Sequence, residues 1–241
     1  MQDVQLHTTT ISLNKDDFYY AYKELTLTES HHILMESGRG GQFSVAAWNP
    51  LAVIESTESG LLIKWRDGKV EERHGEALQL VEKLVEEYQF AHIADLPDFQ
   101  GGAAGFITYD YARQIEALPN DTEDDLHIPD LYFYLLDQWA VLDIEKEEVH
   151  VMHISTVDVD LQAESEKWRQ AAEKGLATRV FIAGGATEVL DDQTELHVSM
   201  TGDVFEEAVR SIQAYISQGD VFQVNLSVRQ SKALSVSPVT Y

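Results

Sequence analysis

Near the end of the chain, the spacing of apolar residues changes from a helical period to a strand period. From Phe205 to Ile216 apolar residues recur at steps of three and four, which predicts an amphipathic helix. Asp203 is expected to cap its start, and Gly219 to end it, because glycine accepts the left-handed conformation without a Cβ clash. Residues 221–228 then alternate between apolar and polar side chains, which predicts a strand with a polar face that could line a site. An ordinary helix-to-strand junction explains the same pattern.

The earlier part of the chain predicts helices and antiparallel strands. Apolar stripes at helical spacing mark helices over residues 14–25 and 78–88, the first capped by Asn14, and a polar helix is predicted over residues 161–174. Short β-rich runs separated by turn signals predict a hairpin with a Gly-rich tip, an antiparallel meander and a second hairpin. These runs are residues 31–48, 51–54, 61–65, 131–136, 139–144 and 149–154. Residues 156–200 change in character and are interpreted as a linker or mobile insertion.

Composition limits the kind of protein and the chemistry. The chain has 241 residues and 44% hydrophobic content, enough for a sizeable core. It has no cysteine, which excludes disulfides, thiolate nucleophiles and the usual structural zinc sites. No stretch approaches the roughly 18 apolar residues of a membrane helix, and the first residues resemble no signal peptide, so we expect a cytoplasmic protein.

Charge argues against two classes of partner. With 17 Lys and Arg against 42 Asp and Glu, the formal net charge is −25. Such a charge repels phosphate backbones and anionic lipid surfaces, so neither nucleic acid nor a membrane is an expected partner. A small anionic substrate is still compatible with a locally positive pocket.

The residues by themselves define no catalytic or metal site. The nine histidines include no metalloprotease spacing, and His150 and His153 would point to opposite faces of a strand. The glycine clusters near Gly101 and Gly184 lack the lysine and hydroxyl residue of a phosphate-binding loop. Adjacent carboxylates such as Asp124 and Asp125 would diverge rather than act on one bond. We therefore expect catalytic residues and metal ligands to be absent from this chain.

Three segments in order resemble the chorismate-utilising enzymes, the family of the anthranilate synthase and aminodeoxychorismate synthase large subunits. The first segment is Leu34, Met35, Glu36 and Ser37, followed by Gly41, Gln42, Phe43 and Ser44, where Met35, Gln42 and Phe43 depart from the usual motif. The second is a glycine-rich block that starts at Gly101 and contains Gly105, Phe106, Tyr109, Asp110, Arg113 and Glu116. The third contains Gly219, Asp220, Gln223, Asn225, Leu226, Ser227 and Arg229.

This resemblance implies a fold and an activity. The fold would be α+β, with packed antiparallel β-sheets flanked by helices. The activity would be amination of chorismate, with ammonia from a partner glutamine amidotransferase subunit and a magnesium ion between the substrate and carboxylates. The Asp-Tyr-Ala-Arg and Val-Asn-Leu-Ser sequences favour the aminodeoxychorismate synthases of folate biosynthesis over the anthranilate synthases of tryptophan biosynthesis, a sister group that is hard to separate.

Members of the family are much longer than this chain, so the chain resembles an N-terminal fragment of a truncated fold. Residues 1–155 would be the N-terminal domain and residues 201–241 the incomplete start of the chorismate-binding domain. The family's magnesium ligands and acid–base groups would follow Tyr241, so we expect that the fragment alone cannot turn over chorismate. A different possibility is a non-catalytic scaffold that contributes subunit surface.

The resemblance also implies a possible tryptophan site. In relatives, an N-terminal wall equivalent to Glu36, Ser37 and Ser44 holds L-tryptophan, as a feedback inhibitor or as a buried structural ligand. Hydroxyl groups and a backbone turn suit an amino acid's ammonium and carboxylate groups. The alternative is that Ser37 and Ser44 only satisfy the backbone of the hairpin.

Overall fold

The computed structural model describes residues 4–38, 40–119, 124–184 and 196–233. The chain divides into two compact units, Met1–Gly185 and Ala186–Tyr241. None of the described helices has the length and apolar character needed to cross a membrane.

The first unit contains ten strands and four α-helices among its described residues. The strands are β1 (Gln5–Ser12), β2 (His32–Met35), β3 (Phe43–Trp48), β4 (Ala52–Thr57), β5 (Gly60–Trp65), β6 (Val70–His74), β7 (Gly102–Ile107), β8 (Leu131–Leu136), β9 (Gln138–Asp143) and β10 (Glu148–Ser155). The helices are α1 (Lys15–Leu25), α2 (Ala77–Glu86), α3 (Ala112–Ile115), which follows a 3₁₀ turn over Tyr109–Tyr111, and α4 (Leu161–Gly184).

The strands form two five-stranded antiparallel sheets that pack face to face. The first sheet has the order β1-β10-β9-β3-β2 and the second has the order β6-β5-β4-β8-β7. On β9, Ala140 and Leu142 pack under α1 and α4, whereas Trp139 and Val141 pack with Leu136 of the second sheet. The outer face of the second sheet is covered by α2. The order of layers is therefore helices, sheet, sheet and helix, which confirms the predicted α+β fold of packed antiparallel β-sheets flanked by helices.

Local signals in the sequence predict much of this unit. The Asn14 side chain accepts a hydrogen bond from the Asp17 backbone N–H at 2.9 Å, which confirms the predicted cap of α1. The hairpin predicted over 31–48 is the β2–β3 pair. The predicted meander is β4–β5–β6, and the second hairpin is β9–β10.

Helix α4 shows how a mostly polar segment joins the core. Trp168 is fully buried, stacks on Phe18 with ring centroids 5.3 Å apart, and meets Trp48 edge-on at 5.5 Å. The boundary between the two compact units, after Gly185, falls inside the segment 156–200 that the sequence assigns to a linker or mobile insertion. The first part of that segment is thus helix packed on the core of the first unit.

The second unit contains β11 (His197–Val198), α5 (Gly202–Gln218) and β12 (Gln230–Ser231). Helix α5 begins after Thr201, so the prediction of Asp203 as its cap is wrong, and Asp203 lies in the first turn. Gly219 ends the helix with φ of 83°, as predicted. Residues 221–228 have no regular secondary structure, so the predicted strand is wrong. A strand needs a hydrogen-bonding neighbour, and the described part of this unit pairs only β11 with β12.

An ion-pair network joins the edge strand β6 to the end of α2. The Glu71 carboxylate lies 2.7 Å from Arg73 Nε and 3.1 Å from Lys69 Nζ, and Arg73 also contacts Glu87 at 3.0 Å. Hydrogen bonds from Arg73 and then Lys69 lower the pKa of Glu71 to about 2.

Replacement of Glu71 should reveal this network through its pH dependence. A carboxyl group whose pKa is lower in the folded state stabilises the fold above its unfolded pKa, and this contribution is lost as the pH falls. Glu71→Gln should therefore lower the free energy of unfolding at pH 7, and the difference from the unaltered chain should shrink between about pH 4.5 and about pH 2. Urea unfolding followed by circular dichroism at several pH values measures this. Glu72→Gln, at an exposed position on the same strand, is the matched control with the smaller expected effect; a pH-independent difference for Glu71→Gln would contradict the prediction.

Candidate functional site

The tip of the β2–β3 hairpin brings together the three residues of the implied tryptophan site. The Ser37 backbone N–H donates to Ser44 Oγ at 3.2 Å, and the Ser37 hydroxyl donates to the Phe43 carbonyl. Ser44 is only 1% exposed. Both hydroxyl groups therefore close the hairpin, as in the structural alternative, and binding of tryptophan by Glu36, Ser37 and Ser44 stays a prediction.

Charged and amide groups anchor the two sides of this tip. The Glu36 carboxylate lies 3.6 Å from Lys15 Nζ at the start of α1. Gln42 Nε2 donates to Asp143 Oδ2 at 3.1 Å, so one of the three residues that depart from the family motif links the tip to the end of β9. Burial would raise the pKa of Asp143, but hydrogen bonds from the Lys146 backbone and side chain and from Gln42 bring that pKa below its usual value.

A pocket that the sequence did not indicate lies beside Asp143. Its volume is about 210 Å³, and the residues that line it include Phe43, Asp95, Asp98, Asp143, Lys146 and His150. His150 is buried, its Nδ1 lies 3.2 Å from Thr10 Oγ1, and burial lowers its pKa. Since carboxylates outnumber cationic groups on its walls, the pocket disfavours an anionic ligand.

The glycines of the second motif allow close packing around β7. Gly101 and Gly102 have φ of 117° and 101°, which side chains rarely adopt. At Gly105, a Cβ would lie 2.0 Å from the Tyr132 carbonyl oxygen on the neighbouring strand β8. Backbone conformation therefore explains Gly101 and Gly102, and packing of β7 on β8 explains Gly105.

The rest of the second motif stabilises the turn after β7. Asp110 pairs with Arg113, whose Nε also donates to the Pro119 carbonyl at 3.0 Å. Tyr109, by contrast, is 93% exposed, and Glu116 is exposed as well. Asp110 and Arg113 thus fix the turn that follows β7.

Tyr111, within the Asp-Tyr-Ala-Arg sequence, has a structural role in this turn that the sequence did not indicate. It is buried, its hydroxyl donates to Glu76 Oε1, and it accepts the Leu78 N–H at 3.2 Å. Glu76 also caps α2, so this contact joins the turn to that helix. The tyrosine hydrogen bond is the main cause of the lowered pKa of Glu76.

The third motif lies in the second unit. Gly219 ends α5, and the Asp220 N–H donates to the Tyr215 carbonyl at 3.0 Å. The Arg229 N–H donates to Ser199 Oγ at 2.9 Å, beside the β11–β12 pair. The side chains between them that the sequence singled out, Gln223, Asn225 and Ser227, are all exposed.

The described residues contain no group of three or more His, Cys, Asp or Glu side chains that could hold a metal ion. The resemblance places the family's magnesium ligands after Tyr241, so magnesium binding by the full-length protein stays a prediction, and no chemical step through a metal follows from the described residues.

Gly105→Ala should destabilise the first unit. Its Cβ would collide with backbone atoms of Tyr132 and Phe133, so the pairing of β7 with β8 must shift. We expect a loss of about 3 kcal/mol or more in the free energy of unfolding, at the upper end of overpacking costs. Gly38→Ala is the matched control, because a Cβ there meets nothing within 4 Å. Thermal and urea unfolding measure both, and equal stability of the two variants would contradict the packing role.

Comparison with known proteins finds relatives that all belong to the chorismate-using enzymes. The family model for the chorismate binding enzyme matches residues 30–241. The chain is 35% identical to aminodeoxychorismate synthase component 1 of Bacillus subtilis (strain 168), over 95% of this chain and 48% of that protein. It is 29% identical to anthranilate synthase component 1 of Acetivibrio thermocellus, over 81% of this chain and 42% of that protein.

A solved structure agrees with these relatives. The crystal structure of anthranilate synthase component I from Streptococcus pneumoniae TIGR4 matches with a TM-score of 0.56 and 26% identity, over 90% of this chain and 47% of that one. The chain thus spans about half the length of the relatives that it matches. With its fold, its three motif segments and a family model that matches most of its residues, the chain belongs to the chorismate-binding enzyme family.

Proposed function

We propose that this chain is the N-terminal portion of an aminodeoxychorismate synthase component 1, which aminates chorismate to 4-amino-4-deoxychorismate in the route to para-aminobenzoate and folate. The observation that carries this proposal is the similarity to the Bacillus subtilis relative along nearly the whole chain. The Asp110 to Arg113 sequence and the Val224 to Ser227 sequence support the same choice.

In the full-length protein, the first unit has a structural role and the remaining part binds the substrate. The first unit supplies a rigid framework, since its described motif residues close a hairpin, hold a turn and permit strand packing. The pocket beside Asp143 does not suit chorismate, because chorismate carries two carboxylates and the pocket walls are mainly acidic. We therefore assign chorismate and magnesium binding to the part of the protein that corresponds to the rest of the relatives, and ammonia supply to a glutamine amidotransferase subunit.

The second candidate function is that of an anthranilate synthase component 1. Its support is that both the Acetivibrio relative and the solved Streptococcus structure have that name. The two functions differ in their products, because anthranilate forms with loss of pyruvate, whereas 4-amino-4-deoxychorismate keeps the enolpyruvyl group.

Product analysis of the full-length protein that contains this chain tests the proposal. It would be incubated with chorismate, magnesium and ammonium, and separately with a glutamine amidotransferase subunit and glutamine. We expect 4-amino-4-deoxychorismate by mass spectrometry and no stoichiometric pyruvate. Anthranilate with equimolar pyruvate would favour the second candidate. If neither product forms, the proposal is contradicted.

The 241-residue chain alone is the matched comparison in the same assay. It should give no steady product formation, because its described residues provide no metal-binding group of acids and histidines. Steady turnover of chorismate by this chain would contradict the assignment of chorismate binding to the remaining part of the protein. The mass measurement would still identify the product.

A further inference from the structure

Strand β7 is an edge of the second sheet with no polar side chain. Its sequence from Gly102 to Ile107 consists of glycine, alanine, phenylalanine and isoleucine. The opposite edge, β6, carries Glu71, Glu72 and Arg73, which discourage the addition of another strand. In the first sheet, the edge β1 is rich in threonine and the edge β2 has only four residues. Of the four described edges, β7 is therefore the one that combines length with an apolar surface.

Large apolar side chains continue from this edge onto the turn that follows. The exposed residues, which we call the β7 patch, are Phe106, Ile107, Tyr109, Ile115 and Leu118. Tyr109 is 93% exposed, although other residues of the same motif, such as Gly105 and Asp110, have structural contacts.

The turn that carries Tyr109 is held in place on both sides. The Thr108 N–H donates to the Asp130 carbonyl at 2.8 Å, and the Thr108 hydroxyl lies 3.0 Å from the Asp130 carboxylate. The adjacent Tyr111 is buried and bonded to Glu76. An aromatic side chain presented on a fixed backbone loses little conformational entropy on binding, which is typical of an interface anchor.

Charge and relative length indicate what covers this patch. Two copies of a chain with formal charge −25 repel each other, which disfavours a second copy. The solved structure matches 90% of this chain but only 47% of its own polypeptide, so that polypeptide is nearly twice as long as this chain. A second half in the same polypeptide is therefore the expected occupant, and an apolar strand edge offers it both hydrogen bonds and a hydrophobic contact.

We propose that the β7 patch is the surface on which the remaining half of the full-length protein docks, with an extended segment paired along β7 and Tyr109 buried as the anchor. This inference rests on one part of the proposed function, namely that the chain is the N-terminal portion of a longer protein.

The test measures association between this chain and a separately produced half. The probe is the half of the Bacillus subtilis relative that lies outside the match, and the dissociation constant is measured by calorimetry and sedimentation velocity. Tyr109→Ser should raise the dissociation constant by about tenfold or more, as expected for an anchor residue. Ile107→Lys should weaken binding as well, because a charge on the edge opposes strand pairing.

Val157→Ser is the matched control, because Val157 is 70% exposed and lies outside the patch. It should change the dissociation constant by less than about twofold. Circular dichroism and thermal unfolding should show unchanged folding for Tyr109→Ser, since that side chain is almost wholly in solvent.

Three outcomes would overturn the inference. They are equal binding by the Tyr109 and Ile107 variants and the unaltered chain, no association of the unaltered chain with a probe that circular dichroism shows to be folded, and a Tyr109-dependent dimer of this chain alone, which would identify a second copy as the occupant. Association without amination of chorismate would count against the proposed function and leave the docking surface standing.

Discussion

The two-sided burial of β9 is the constraint on which the first unit depends. The strand lies between β10 and β3, so both of its edges are paired. Its side chains alternate between two hydrophobic clusters, with Ala140 and Leu142 under the helices and Trp139 and Val141 toward the second sheet. Because strand side chains alternate strictly between faces, a slip of one residue would exchange both sets and spoil both clusters. The register of this single strand therefore fixes the helical layer and the second sheet at once.

The same strand carries this constraint to the hairpin tip. Beyond the apolar core, β9 ends at Asp143, which is 1% exposed and must have its carboxylate oxygens satisfied. One oxygen accepts the backbone N–H groups of Glu145 and Lys146, and the other accepts the Gln42 amide. The core thus sets where Gln42 lies, and with it the tip that contains Ser37 and Ser44. A change at the tip that breaks the Gln42 contact would leave a buried carboxylate with fewer partners, so tip and core are energetically coupled.

The sequence predicts what short-range periodicity and turn chemistry determine. It therefore identifies the capped helix after Asn14, the hairpins and the meander, because each depends on neighbours a few residues apart. It misses the packed role of α4, because Trp168 lies in a mostly polar segment and meets Phe18 through a contact between distant segments. It also predicts a strand at 221–228, where alternation is present but pairing is not. For the candidate site, the motifs locate Gly105. They do not show why glycine is needed there, because the carbonyl that approaches it belongs to Tyr132 on another strand.

The signature residues separate into two physical classes, and the difference bears on how the family's function is built. Some are used within the described structure: Gly105 admits β8, Asp110 holds Arg113, and Gly219 ends α5. Others are more than nine-tenths exposed: Tyr109, and Phe222, which lies between Asp220 and Gln223 of the third motif. Exposure of a large aromatic ring costs free energy relative to its burial, and these two side chains gain almost no packing in the described structure. The residues of the first class stabilise this fold. The exposed residues of the second class are available for contacts with groups outside the chain. A motif that contains both classes, as the one from Gly101 to Glu116 does, fixes a backbone so that an exposed side chain points outward from a rigid base.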